Sequence, residues 1–167
     1  MAGTISRDDL ARIALTCPGY RIRVVERVAT RYYNARFKSA GLSAVQFGLL
    51  VGIETAEAPM VAELAERSSA DPSTLARNLQ LLERDGLVSA KGGRGRFGKR
   101  FTLTEKGRKA LQAAFALWER ACEGLVADIG AARVKEGMRF LEILEEAAKA
   151  MLSEDCVNQG VGKEEKP

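Results

Sequence analysis

Between Asp71 and Leu103 the hydrophobic period of the sequence changes from helical to alternating, and few small folds accept that order. Asp71 offers a side-chain oxygen to cap a helix, Pro72 suits its first position, and Gly86 is placed to end it. Leu75, Leu79 and Leu82 fall at i, i+4 and i+7, which puts them on one inward stripe. The opposite face carries Ser73, Arg77, Gln80 and Arg84, with Thr74 at its edge. Leu87 to Lys91 and Lys99 to Leu103 then read as two short strands joined by Gly92-Gly-Arg-Gly-Arg-Phe-Gly98. Four glycines in that connection predict a mobile hairpin tip.

The flanking sequence is helical in pattern. Ser6 and the acids after it start a first helix that Cys17-Pro18-Gly19 interrupts, and a second helix is expected from Pro18 with Cys17 as its cap. Ile22, Val25, Val28, Ala29, Tyr32 and Ala35 recur along it at helical spacing. Ser43-Ala-Val-Gln46 reads as a capping box opening a third helix, in which serine and glutamine satisfy each other's free backbone N–H groups. A break at Ala56 to Pro59 leads to a short helix from Val61 to Arg67, followed by a tight turn through Ser68-Ser69-Ala70. Thr104 caps a long helix whose Leu111, Phe115, Trp118, Cys122, Leu125 and Ile129 have coiled-coil spacing. A last helix from Ala132 to Leu152 carries Val134, Met138, Leu141, Leu144, Ala148 and Met151 in a similar pattern. Residues 153–167 are polar and aperiodic, and are expected to form a disordered tail.

The chain has 167 residues, enough for one compact domain plus helices that a partner must cover. The organisation expected is N-terminal dimerisation helices over 1–40, a DNA-binding module over 41–104 and C-terminal dimerisation helices over 105–152. The fold class expected is mainly α with a small β hairpin. No stretch approaches the roughly 20 apolar residues of a membrane span, so no membrane partner is expected. The start, MAGTISRDDLARIA, lacks a basic segment followed by a long apolar run, so a cytoplasmic protein without a cleaved leader is expected.

The chain contains no histidine, which removes Ser-His-Asp and Cys-His catalysis and His-ligated zinc together. Its three cysteines, Cys17, Cys122 and Cys156, are far apart and form no CxxC pair. No metal, no cofactor and no enzymatic activity are therefore expected. The charge pattern points elsewhere. Between Lys91 and Lys109 eight basic residues face the single acid Glu105, a local excess of +7 in a chain whose net charge is +4. A polyanion partner is implied.

The order helix, short helix, tight turn, helix, basic hairpin matches a helix-turn-helix, whose second helix is presented to the major groove of duplex DNA. Ser73, Thr74, Arg77 and Asn78 occupy the first half of that helix, and Arg77 is the candidate for direct base reading because arginine bonds a guanine edge at two points. Arg94 and Arg96 at the hairpin tip, with Lys99 and Arg100 on its return strand, suit phosphates or the minor groove.

Asp71-Pro-Ser-Thr-Leu-Ala-Arg-Asn-Leu-Gln-Leu-Leu-Glu-Arg-Asp-Gly-Leu-Val88, then the basic hairpin and Phe101-Thr-Leu-Thr-Glu-Lys-Gly-Arg108, resembles the MarR family of bacterial regulators. Gly41-Leu-Ser-Ala-Val-Gln-Phe47 is similar to a further family segment, and the likeness runs from about residue 18 to 150. It implies a winged helix-turn-helix homodimer with interlocked terminal helices, bound to a pseudo-palindromic operator and usually repressing transcription. One departure is visible: Gly95-Arg96-Phe97 stands where the family's wing carries an Asp-x-Arg element. The apolar seams of the first and last helices argue for the dimer independently, because a compact DNA module cannot cover them alone.

Two signals remain open. Cys17, at a helix start with Arg21 and Arg23 in the next turns, could be held as a reactive thiolate. The family resemblance extends to two-cysteine organic-hydroperoxide sensors, in which Cys17 and Cys122 occupy similar places. Cys122 also lies between Trp118 and Leu125, where a cysteine is ordinarily a small core residue, and Ala44 stands where the sensors carry a tyrosine. The second signal is a small aromatic or amphipathic acid in a pocket lined by Tyr20, Arg21, Tyr32 and Phe47. Two other classes compete with the regulator: a thiol peroxidase with catalytic turnover, and an architectural binder indifferent to DNA sequence.

Overall fold

The computed structural model describes residues 5–92 and 98–160, without the side chains of 154–160. The chain divides into two compact units, Met1–Ala121 and Cys122–Pro167.

The first unit opens with α1 (Arg7–Thr16), whose N-cap Ser6 accepts from the Asp9 N–H at 3.1 Å while the Asp9 carboxylate accepts from the Ser6 N–H. Pro18 opens α2 (Pro18–Phe37). Cys17 stands at its N-cap position, yet the thiol makes no capping bond, as expected of a weak sulfur acceptor. A 3₁₀ turn at Lys38–Ala40 closes on Gly41, whose φ of 68° only glycine adopts without strain. The capping box expected at Ser43 is formed: Gln46 N–H donates to Ser43 Oγ at 3.2 Å, and Ser43 N–H to Gln46 Oε1 at 2.9 Å. It starts α3 (Ala44–Thr55).

Next come α4 (Val61–Ser68) and α5 (Pro72–Arg84), then β1 (Val88–Lys91) and β2 (Arg100–Leu103) in an antiparallel pair with Val88 opposite Leu103 and Lys91 opposite Arg100. The loop before α4 runs against the outer edge of β2. There the Phe101 N–H donates to Pro59 O at 3.0 Å, and Met60 bridges Arg100. Leu87, expected to begin the first strand, precedes it: its N–H bonds back to Leu82 O at 2.9 Å and its carbonyl accepts the Thr104 N–H at 3.1 Å.

The core lies between α2, α3, α5 and the hairpin. Phe37, Leu50, Ile53, Leu79 and Leu82 are wholly enclosed, joined by Leu64, Leu75, Val88, Phe101 and Leu103. The predicted stripe of α5 is therefore the inward face of the recognition module. Phe37 stacks within a row of rings, 4.7 Å from Phe47 and 5.8 Å from Tyr33.

The helix α6 (Glu105–Ile129) spans the boundary between the units. Its buried residues are Gly107, Ala114 and Ala121, seven apart, and not the large seam expected from the sequence. Phe115, Trp118 and Ile129 are 47%, 37% and 43% exposed. Small side chains let the helix lie close to its own unit, while the large ones are displaced by one residue, about 100° around the axis.

In the second unit α7 runs Ala131–Gly160, with Gly130 at φ 93° between it and α6. It continues past Leu152, where a disordered tail was expected from Ser153. Ser153 to Gln159 contains neither proline nor glycine, and loss of apolar periodicity does not by itself stop a helix. Residues 161–167 of the expected tail lie outside the described residues. Met138, Phe140, Leu141, Ile143, Met151 and Leu152 of α7 are exposed.

Candidate nucleic-acid interface

The side chain of Asp71 fixes how α5 begins. Its Oδ1 accepts the Thr74 N–H at 2.9 Å and the Ser73 hydroxyl as well, and these two bonds, the serine's first, hold the carboxyl below the ordinary aspartate value of 3.8. The sign of the pH dependence follows. The folded state binds its proton less tightly than the unfolded chain, so the cap's stabilisation is complete above pH 3.8 and declines as pH falls further. The protection factor of the Thr74 amide, its exchange rate set against an unstructured peptide at the same pH, is expected to fall on acidification below that value, and Asp71→Asn to remove the dependence. An equal fall in both proteins would show that the cap does not control this turn.

Ser73, Thr74 and Arg77 share the exposed side of α5. Arg77 has no hydrogen-bond or ion-pair partner among the described residues, so its guanidinium is available to a base edge. Asn78 is half-buried and donates along its own helix to Thr74 O at 2.9 Å, which leaves its amide oxygen. Ser73 is engaged by the cap.

The hairpin distributes its cations unequally. Lys91 and Lys99 are exposed. Arg100 turns back: Nη1 donates to Ala58 O at 2.9 Å and lies 3.8 Å from Glu63 Oε2. It is therefore a strut between β2 and the entry to α4, with about half its side chain still open to a phosphate. Ala58 and its neighbour Glu57 have φ of 71° and 51°, a left-handed pair that aims this carbonyl at the arginine. Arg94 and Arg96 lie outside the described residues.

Three further cations of the basic run are tied into the fold. Lys106 Nζ donates to Asp85 O at 2.7 Å, Arg108 pairs with Glu54 at 3.7 Å, and Lys109 with Glu105 at 3.7 Å. Part of the local excess read from the sequence thus serves to hold α6 against α5 and α3. A sequence count cannot make that division, because the acid Glu54 comes from a distant helix.

The hairpin's base is clamped by Thr104. Its Oγ1 donates to Gly86 O at 2.7 Å and accepts the Gly107 N–H at 3.0 Å. A Cβ at Gly107 would stand 2.0 Å from Leu87 O, so only glycine lets α6 pass this carbonyl. The sequence motif contained this residue, but nothing in one dimension announces the contact.

The four residues proposed for an effector pocket are not gathered in one place. Tyr20 and Arg21 are exposed on the first turn of α2, about 18 Å along the helix from Tyr32. Tyr32 donates from its hydroxyl to Ala121 O at 3.0 Å, with the Arg36 guanidinium 3.5 Å over its ring, and Phe47 packs against the core. Cys17 is half-buried at the junction of α1 and α2, and Cys122 is half-buried on α6 in the other unit. No group of acids and cysteines suited to a metal ion occurs among the described residues, and no helix among them is long and apolar enough to cross a membrane.

No family model matches the chain, and no curated protein matches it. Solved structures do. The transcriptional regulator MosR of M. tuberculosis, in complex with DNA, is 35% identical, with 79% of this chain and 98% of that one covered at a TM-score of 0.67. A mutant MarR from E. coli complexed with operator DNA is 23% identical over 79% and 96% of the two chains, with a TM-score of 0.71. MepR of S. aureus, also in a DNA complex, is 15% identical over 78% and 96%, at 0.66. The last two speak for the fold alone. The identity to MosR extends over nearly all of that regulator, and with the capped α5, the paired strands and the Thr104 clamp it settles the question: the chain belongs to the MarR family of winged-helix transcription regulators.

Proposed function

We propose that the chain is a repressor that binds a pseudo-palindromic operator as a homodimer and is released by a small-molecule or oxidative signal. The observation that carries the reading is the exposed face of α5, where Ser73, Thr74 and an Arg77 without a partner among the described residues stand beside a basic hairpin. The DNA complex of MosR supports it. In this reading α5 enters the major groove and Arg77 chooses bases, while Lys99, Arg94 and Arg96 meet phosphates and Arg100 braces the hairpin that presents them.

A homodimer accounts for apolar surface that a single chain leaves open: Leu10, Ile13 and Leu15 on α1, Phe115 and Trp118 on α6, Phe140 and Ile143 on α7. Two α5 helices one DNA turn apart, roughly 34 Å, would read symmetric half-sites. A monomer by light scattering at micromolar concentration would end this part of the reading. The protein so described works in the cytoplasm and turns over no substrate. Cys17 remains the candidate for an oxidative signal, with Cys122 as its candidate partner.

The test compares selected operator with scrambled duplex. Arg77→Ala is expected to cost about 1–3 kcal/mol on the operator, roughly 5- to 150-fold, and little on scrambled DNA. The double replacement Arg94→Ala and Arg96→Ala should weaken both duplexes alike and reduce the salt slope by about 2. Equal losses on both duplexes for Arg77→Ala would remove it from base reading. Equal affinity of the unaltered protein for both would favour the architectural binder.

A further inference from the structure

Four leucines lie on α5, and the core takes three of them. Leu75, Leu79 and Leu82 are enclosed, whereas Leu81 is 38% exposed and stands outside the core cluster. Its place on the helix is particular. Leu81 follows Arg77 by four residues, which sets it about 6 Å further along the axis and about 40° around it, on the open side of α5. Arg77 and Leu81 are therefore neighbours on the face proposed to meet DNA.

The other residues of that half of the face are Gln80 and Arg84, both exposed. Arg84 is turned to its own neighbour: Nε donates to Asp85 Oδ1 at 3.1 Å, and Nη2 lies 3.1 Å from the same oxygen. One turn beyond Arg77, α5 thus offers an amide at the edge of the face, a cation already paired, and an open hydrocarbon.

A leucine neither donates nor accepts a hydrogen bond, so it cannot answer the polar atoms of a base edge. Against guanine, adenine or cytosine it would take those atoms out of water without replacing their hydrogen bonds. Thymine differs, because its 5-methyl group is the apolar feature of the major-groove edge. We propose that Leu81 determines part of the operator sequence by packing on a thymine methyl in each half-site, beside the guanine to which Arg77 is suited. The proposal rests on the DNA-binding reading above. With base pairs stacked about 3.4 Å apart, a step of about 6 Å along the helix places the thymine within about three base pairs of that guanine. The two side chains then select by different means: Arg77 by hydrogen bonds made, Leu81 by apolar surface removed from water.

The experiment replaces each thymine of the selected operator in turn by deoxyuridine, in both half-sites at once, and titrates the full chain by fluorescence anisotropy. Uracil keeps the pairing edge of thymine and lacks only the 5-methyl. Burial of one methyl is worth about 4-fold in affinity, so the unaltered protein is expected to lose about 15-fold when the symmetric pair of thymines under Leu81 is replaced. Leu81→Ala should bind the thymine and uracil operators within about twofold of each other at that pair. Leu81→Gln, a helix-favouring residue suited to an exposed position, should do the same and guards against a fault peculiar to the alanine variant. A thymine preference unchanged in both variants overturns the proposal. So does an operator on which no uracil replacement costs the unaltered protein more than about twofold, and in that case the DNA-binding reading stands. A chain that selects no duplex overturns that reading and this proposal together.

Discussion

Gly107→Ala is expected to cost about 3 kcal/mol, at the upper end of what one added methyl does in a packed interior. The new Cβ would fall 2.0 Å from Leu87 O, and backbone rather than a flexible side chain is what must yield. Leu87 cannot retreat cheaply. Its N–H is bonded to Leu82 O, its carbonyl receives the Thr104 N–H, and the residue is buried. Relief would have to come from α6, whose first turn is fixed by Thr104 Oγ1 on Gly107 N–H and by Lys106 on Asp85 O. The consequence should be a denaturation midpoint lowered at unchanged m-value, measured at fixed protein concentration because a dimer's stability depends on it. A loss under about 0.5 kcal/mol would mean that α6 is not held against the hairpin as described. Gly137→Ala makes the contrasting control, since its Cβ would meet nothing within 4 Å and alanine favours the helix.

Leu79→Ala should cost about 2–5 kcal/mol. Leu79 is wholly enclosed, with Leu75 one turn before it and Leu82 one turn after, and the three attach α5 to the core. Truncation leaves a void beneath the helix that is to carry Arg77, so operator affinity should fall even where the variant still folds. Leu81→Ala, on the same helix but 38% exposed in the chain, should cost under about 1 kcal/mol. Similar losses at positions 79 and 81 would contradict the inward stripe. Chemical denaturation of each variant, followed by operator titration of those that fold, separates the stability effect from the DNA effect.

Most of the helical architecture was legible in the chain because it is set locally. The Ser43 and Gln46 box, the Asp71 and Pro72 start and the leucine stripe of α5 each involve residues within two turns of one another, and those interactions form in any context that permits a helix. The same holds for the hairpin, whose strands alternate around a glycine-rich connection. The exposed face of α5 could be named from the stripe alone, since it is whatever the leucines do not cover. The last helix outruns its apolar period for a related reason: a helix stops where the backbone is interrupted, and Ser153 to Gln159 offers no interruption.

What the chain could not declare depends on contacts between distant segments. Arg100 and Arg108 look alike in sequence, both members of one basic run, yet one braces the hairpin against Ala58 and Glu63 and the other pairs with Glu54. The heptad of large apolar residues on α6 was visible, but it was Gly107, Ala114 and Ala121 beside it that packed, because close approach within the unit favours small side chains. Tyr20 and Tyr32, expected in one pocket, stand about 18 Å apart along α2. The sequence by itself determined the helices, the hairpin and the face of α5 proposed to meet DNA, because short-range chemistry dictates them. Only the tertiary structure decided which cations stay free and which glycine is indispensable, because each is a distance between parts of the chain that sequence leaves far apart.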